Sequence, residues 1–429
     1  MAFDSFQQAN TGRNRYRALA IMIGVPLLTM SATLCAQEES MRLSLSGYGS
    51  LGIVRSSDSK SDYLTDAFKP NGPGHTRQWS ADVDSRVGAQ VALQLTPVVS
   101  AVVQVISQQR YDNSYKPSIE WANLKYQVTP DFSVRAGRIV LPIFLLNDSR
   151  KVGYANPWVR PPVEVYNLVP VTSSDGLDAS YRFSMGDTNN TLQATYGRFN
   201  SKFPGAPDFG TGTAKARNLF ALVDTIEVGA ITARFSYVNT NLTIDAFNPF
   251  FDGFRQFGPA GAAIADKYAV DNKRVSFVGV GVGYDAGNWL AMGEWARMDT
   301  RSILGERSAW YLSSGYRFGK LTPYLTYARL INDGVTSDAG LPTSFLPPQV
   351  AGIANLLNSS LNSLLASSAA QKTISIGSRW DVSSKIALKL QYDQIRRAPG
   401  STGTFGNTQP GFEPGGKANV LSATADFVY

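Results

Sequence analysis

Few residues in this chain could do bond chemistry. Among 429 residues there is one histidine, His75, and one cysteine, Cys35. A Cys/His zinc site needs more soft or imidazole ligands than these two supply, and Ser-His or Cys-His catalysis must use His75 or do without. His75 sits in the glycine- and proline-rich run NGPGHTRQW, which leaves a hydrolase only as a remote alternative. Gly47-Tyr48-Gly49-Ser50-Leu51-Gly52 has the spacing of a dinucleotide fingerprint, but no helix pattern or βαβ unit follows it. No cofactor is expected. The residues that stand out are arginines and lysines placed at regular steps along alternating segments, which suits an electrostatic surface better than a reaction centre.

The segments that carry these cations have period two. In RVGAQVALQLTP, Val87, Ala89, Val91, Leu93 and Leu95 alternate with Arg86, Gly88, Gln90, Ala92 and Gln94. KTISIGSRWDV and IALKLQYDQ repeat the pattern. About sixteen such segments begin near residues 41, 85, 101, 118, 131, 176, 190, 217, 230, 275, 288, 308, 321, 372, 385 and 418, each about ten residues long, the length of a tilted membrane strand. Tight turns (Thr96-Pro97, Thr129 to Asp131, Asp187 to Asn189, Asp285 to Asn288, Phe318 to Lys320, Ser383-Ser384) alternate with long stretches near 56 to 80, 140 to 175, 200 to 216, 240 to 273, 331 to 371 and 395 to 417. The expected fold is all-β: a transmembrane antiparallel β-barrel of about 16 strands, with short periplasmic turns and long extracellular loops. A soluble β-sandwich would hide its apolar faces and seldom needs so many strands. In hydrocarbon an unpaired sheet edge is too costly, so the last strand must meet the first.

Composition agrees. The chain is 43% hydrophobic and 17% charged, with no run long enough for a helical span after the first forty residues. Those forty read as an export address: Arg13, Arg15 and Arg17, an uncharged stretch from Ala18 to Met30, then a cut expected after Ala36. Residues 1–36 are thus a signal peptide and 37–429 the barrel. The formal charge of +7 then falls to 37 basic minus 32 acidic residues, or +5. Tyrosines at strand ends, such as Tyr126, Tyr181, Tyr196, Tyr237 and Tyr316, suit an interfacial girdle.

The signal peptide, the opening LSGYGSLGIV, the DSRVGAQVALQLTP and RAGR segments and the aromatic last residue together resemble the Gram-negative outer-membrane porins of the 16-stranded, trimer-forming group. The terminal residue, usually Phe in that group, is Tyr429 here, and the third loop lacks the acidic glycine-rich motif of enterobacterial general porins. The resemblance implies an outer-membrane location, a homotrimer set among outer-membrane lipid and lipopolysaccharide, recognition by barrel-assembly machinery through Tyr429, and a water-filled channel for passive diffusion of small hydrophilic solutes and ions. A channel selective for one small organic anion or sugar is the alternative. It also implies that the third loop, 139–175, folds inward and narrows the pore. This loop, rich in proline and apolar residues, would bring Arg150, Lys151 and Arg160 to the constriction, with Asp148 and Glu164 as acidic counterweights.

On the wall, alternation places Arg86, Arg110, Lys125, Arg135, Arg182, Arg234, Arg317, Arg329, Arg379 and Lys389 inward, with Asp178, Asp224, Asp381, Asp393 and Asp426 among them; Arg138 of RAGR joins the pore-lining set. Such a ladder facing a loop makes a transverse field, and a weak anion preference is the expectation. Gln349 to Gln371 reads as a helix capping an outer loop, and FNPFFDGFRQFG as an aromatic loop that lines a mouth, seals against a neighbour or grips a substrate.

Overall fold

The computed structural model describes residues 41–204 and 211–429; the expected signal peptide lies outside the described residues. The strands are β1 (Arg42–Ser56), β2 (Arg86–Thr96), β3 (Val99–Gln108), β4 (Ser118–Gln127), β5 (Phe132–Val140), β6 (Ser173–Met185), β7 (Thr188–Phe203) and β8 (Gly212–Val228). They continue as β9 (Ile231–Ile244), β10 (Lys273–Ala286), β11 (Trp289–Thr300), β12 (Arg307–Tyr316), β13 (Leu321–Asn332), β14 (Gln371–Ser383), β15 (Ile386–Arg397) and β16 (Lys417–Val428). Each pairs antiparallel with its sequence neighbour, and a two-residue piece, Trp79–Ser80, adds to the edge of β1. The ring closes where β1 meets β16, from Tyr48 opposite Val428 to Ser56 opposite Val420. The last residue completes the seam, since Gly47 and Tyr429 exchange backbone hydrogen bonds of 3.1 and 3.0 Å. Several strands exceed the ten residues expected from alternation, with β8 at 17, because they run on past the apolar belt into the long-loop side.

Alternation is realised as a lipid-facing belt. Leu43, Leu45, Leu51 and Ile53 of β1, Val87 and Val91 of β2, and Ile374 and Ile376 of β14 are exposed on the outside. In water these would be a liability, whereas in a bilayer they are solvated. Tyr126 and Tyr181 face outward toward the short-turn ends of their strands, Tyr196 faces outward from the middle of β7, and near the short turns Trp289 meets Tyr316 edge-on while Phe318 lies tilted against Tyr316. Gly47 and Gly49 lie beneath the rings of Tyr429 and Phe427, where any Cβ would collide with the aromatic carbons. The glycines of the false nucleotide fingerprint therefore seat the C-terminal aromatics.

The long-loop side is partly capped. Helices α2 (Asn248–Arg255) and α3 (Gly258–Tyr268) precede β10, and α4 (Pro348–Ala366) precedes β14. The helix expected from Gln349 is present. The aromatic FNPFFDGFRQFG run forms α2, with Phe251 and Phe254 fully buried against Ile264, Leu361 and Leu365, so these rings seal the cap. Elsewhere on this side Asp62–Tyr63 of the first loop pairs with Phe405–Gly406 of the last, over a small core of Val54, Tyr63, Ile395 and Phe405.

Candidate functional site: a folded-in loop and a basic cavity

The third loop, 141–172, turns into the barrel and packs against one arc of its wall. Phe144, Trp158, Val165 and Tyr166 are buried against inward residues of β8 to β13, among them Ala216, Ala221, Ala296, Ala309 and Ala328. Small wall residues leave the volume that the loop fills. The glycine face of β10 serves the same end: a Cβ at Gly281 would come within 2.7 Å of the Leu145 side chain. Burying four large side chains contributes about 1.5–3 kcal/mol each, which holds an apolar loop inside an otherwise polar lumen.

Polar contacts fix its path. Trp158 Nε1 donates to Ser313 Oγ at 2.8 Å and Thr326 Oγ1 at 3.1 Å. Tyr166 and Tyr311 both donate to Glu294, which also accepts from the Leu145 N–H. Arg160 reaches Asp84 through Nε at 3.0 Å and Nη2 at 2.6 Å, Asp393 at 3.4 Å and Ser422 Oγ at 2.7 Å. The guanidinium and both carboxylates are buried. Lys389 donates to the carbonyls of Gly153 and Trp158 and pairs with Asp426 at 2.8 Å. Arg379 donates to the carbonyls of Tyr154 and Asn156 and pairs with Asp381. The loop is therefore bolted to the start of β2 and to β15 and β16 by its own Arg160, and to β14 to β16 by the wall cations Arg379 and Lys389.

What remains open is a cavity of about 740 Å³ between this loop, the first and second loops and the arc from β2 to β8. Its lining carries ten basic residues, Lys69, Arg86, Arg110, Arg138, Arg150, Lys151, Arg160, Arg198, Lys202 and Lys215. Four acidic residues share it, Asp66, Asp84, Glu120 and Asp175, for a balance of 10 − 4 = +6 among the described residues. Arg150 is held without a carboxylate: it donates to the carbonyls of Tyr166 and Val169 at 2.8 and 3.2 Å and lies 5.1 Å over the Tyr166 ring. Lys151 pairs with Glu120 at 2.7 Å, and Arg138 with Asp175 at 2.7 Å. Arg86, Arg110, Lys202 and Lys215 form no ion pair among the described residues. Lys69 is buried, donates to the Gln109 carbonyl at 3.1 Å, and is pushed down to about 8 by that burial.

Of the residues expected at the constriction, Arg86, Arg110, Arg138, Arg150, Lys151 and Arg160 line this cavity. The others lie elsewhere. Glu164, on the one-turn helix α1 (Val163–Tyr166), is buried and accepts from Gln371 and Thr373, so it anchors the loop instead of opposing the cations. Asp148 is exposed on the loop and outside the cavity lining. Arg135 pairs with Asp178 and stands beside Lys125 and near Arg182, toward the short-turn end. Arg317 is past the end of β12, bound to Asp285 at the short-turn rim.

Two wall expectations fail by one residue of phase. Thr326, Ala328 and Leu330 of β13 pack inward, which turns Arg329 outward. Ala221 and Val223 of β8 are likewise inward, so Asp224 shares the outer face with Leu222 and Ile226. Arg234 does face inward, where it donates to the Phe144 carbonyl.

Sequence reasoning missed Lys69, Glu120 and Asp84. Asp84 stood two residues before Arg86 at the loop end of its strand, a carboxylate placed to meet an inward loop. His75 is exposed, and its ring has no hydroxyl partner among the described residues.

No family model and no curated protein matches the sequence. Solved structures do match its fold. The outer-membrane channel DcaP of Acinetobacter baumannii superposes with a TM-score of 0.54 at 14% identity, over 92% of this chain and 99% of that one. An anion-selective porin from Comamonas acidovorans gives 0.50 at 11% identity, over 91% and 100%. OmpT, an outer membrane protein of Vibrio cholerae, gives 0.50 at 11% identity, over 92% and 99%. The shared architecture is the closed 16-stranded barrel of outer-membrane porins and channels.

Proposed function

We propose that the chain is an outer-membrane diffusion channel for small hydrophilic solutes that favours anions, working as a passive path without bond chemistry. The observation that carries this reading is the +6 balance of the cavity lining, set against a loop whose two carboxylates, Asp148 and Glu164, both stand outside that lining. Fixed cations in a narrow, low-dielectric passage raise local anion concentration and exclude cations. Arg150 and Lys151 project from the loop and Arg86 from the wall, so a passing anion meets positive charge on both sides. One structural neighbour is itself an anion-selective porin, which supports this reading. A homotrimer is part of the same reading and rests on the resemblance to trimer-forming porins.

The test is a reversal potential. Purified protein in a planar bilayer under a KCl gradient is expected to give the sign of chloride selectivity, and swelling assays should show uptake of small sugars as well. A cation-selective potential would refute the preference, and absence of conductance would refute the channel.

A further inference from the structure

The outward-facing Arg329 belongs to a pattern that the pore does not use. Arg329 of β13 is opposite Lys372 of β14, Lys372 is opposite Arg396 of β15, and Arg396 is opposite Lys417 of β16. Four cations thus stand side by side on four successive strands, all on the outer face and all exposed. Among the described residues none of the four makes an ion pair or a side-chain hydrogen bond. Like charges directly opposite on neighbouring strands are destabilising, so the arrangement calls for an anionic partner from outside the chain.

Its height on the barrel says where that partner lies. The belt runs up to Tyr327 and Ile374, two residues below Arg329 and Lys372, a climb of about 6.6 Å along the strand. On β15 and β16 the intervening outward residues are Gln394 and Asn419, which are polar but uncharged. The row therefore sits just above the hydrocarbon edge, on the side of the long loops, and spans about 14 Å across three strand spacings. At the opposite rim the outer face of the same sector ends on Trp380, with Tyr316 and Phe318 close by, so the cations mark one leaflet only.

We propose that Arg329, Lys372, Arg396 and Lys417 form a docking strip for the phosphorylated headgroup of an outer-leaflet glycolipid of the lipopolysaccharide type. A polyphosphorylated headgroup supplies several anionic oxygens at this depth, and each pairs with a cation whose neighbours would otherwise repel it. The strip rests on the reading that the long loops face outward, and is independent of the ion preference of the pore.

The experiment uses the full chain in detergent micelles and measures binding of bisphosphorylated lipid A and of its dephosphorylated counterpart. Wild type is expected to prefer the phosphorylated lipid, with an affinity that falls as salt rises. Lys372→Gln/Arg396→Gln is expected to weaken that binding about 30-fold, from the worth of two surface cations at an anionic membrane. Conductance should not change, because neither residue touches the cavity, and this separates failure of the strip from failure of the channel reading. Lys417→Gln, a single change at an exposed position, gives a smaller loss in the same direction if the double variant folds poorly. Equal binding of the two lipids, or a variant that binds as wild type does, overturns the proposal. So does a change in oligomeric state of the variant in lipid-free micelles, which would assign the row to contact with another copy.

Discussion

Replacing Arg160 by methionine tests the central structural claim, that the third loop is latched to the wall. Arg160 is buried with side-chain exposure of 6%, and its partners Asp84 and Asp393 are each at 3%. Methionine keeps the volume of the stem and removes four charge-assisted hydrogen bonds, leaving two buried carboxylates without a cation. Breaking one side of a buried pair costs about 3–5 kcal/mol. Because 1.4 kcal/mol is about tenfold in an equilibrium, the population with this part of the loop detached should rise by at least about a hundredfold. Trp158 and Tyr166 still hold the neighbouring turns, so the barrel should assemble. Single-channel recording should show larger conductance with more open-state noise, and protease should cut within 141–172 sooner than in wild type. Arg160→Lys, which keeps the charge but loses the two-pronged contact with Asp84, should lie between the two. Adding Asp84→Asn to the methionine variant should recover part of the loss by removing one uncompensated carboxylate. If Arg160→Met leaves conductance, noise and proteolysis as in wild type, the latch is not what holds the loop and the reasoning fails.

Further outcomes follow from the same geometry. Changing Arg86, Arg110 and Lys151 together to glutamine should lower the lining from +6 to +3 and move the reversal potential toward zero; no shift would separate selectivity from this cavity. Lys69, held near 8 in the folded protein against about 10.4 when free, should lose its proton as pH rises through about 8, so anion preference weakens between pH 7 and 9 and Lys69→Gln flattens that dependence. Between those two pKa values the unfolded chain binds the extra proton, so this group's burial penalty fades as pH rises through 8, and stability gains in that window. In the cap, Lys267 and Asp338 pair at 2.7 Å and the Asp338 carboxyl is drawn down to about 2, chiefly by Lys267 working against partial burial. This contact should persist on acidification until pH approaches 2, and the hydrogen-exchange protection factors in 258–268, taken relative to the intrinsic rate at each pH, should be the same at pH 4 as at pH 7. At the seam, Gly49→Val would drive a side chain into the Phe427 ring, and the heat-resistant gel mobility of a closed barrel should be lost.

Much of this molecule is local in origin, and that part was legible in the chain. A strand's two faces alternate whatever it pairs with, so Val87, Val91, Ile374 and Ile376 could be assigned to lipid from their own neighbours. Backbone hydrogen bonds that hydrocarbon cannot satisfy demand closure, and so the meeting of β1 with β16 followed from the alternating ends of the chain. The apolar character of the third loop likewise required burial. Its destination, and the work each arginine does, were decided by contacts between residues far apart in sequence. Arg160 meets Asp84 76 residues away and Ser422 262 residues away, and Glu164 meets Gln371 across 207. Alternation says that a side chain points inward but not whether it finds water or the loop. Here the alanines and glycines of β8 to β13 made one arc a seat, and the arc from β2 to β8 was left lining the open cavity. The phase of a strand can also be set by its packing, as Arg329 and Asp224 show: Ala328 and Ala221 took the inward positions against the loop, and their charged neighbours had to turn out. The sequence by itself determined a barrel, a greasy third loop that had to be buried and a surplus of cations. Which cations line the cavity, which bolt the loop and which stand on the outer face depended on tertiary contacts, because the energy of a charge is set by the groups that surround it in space.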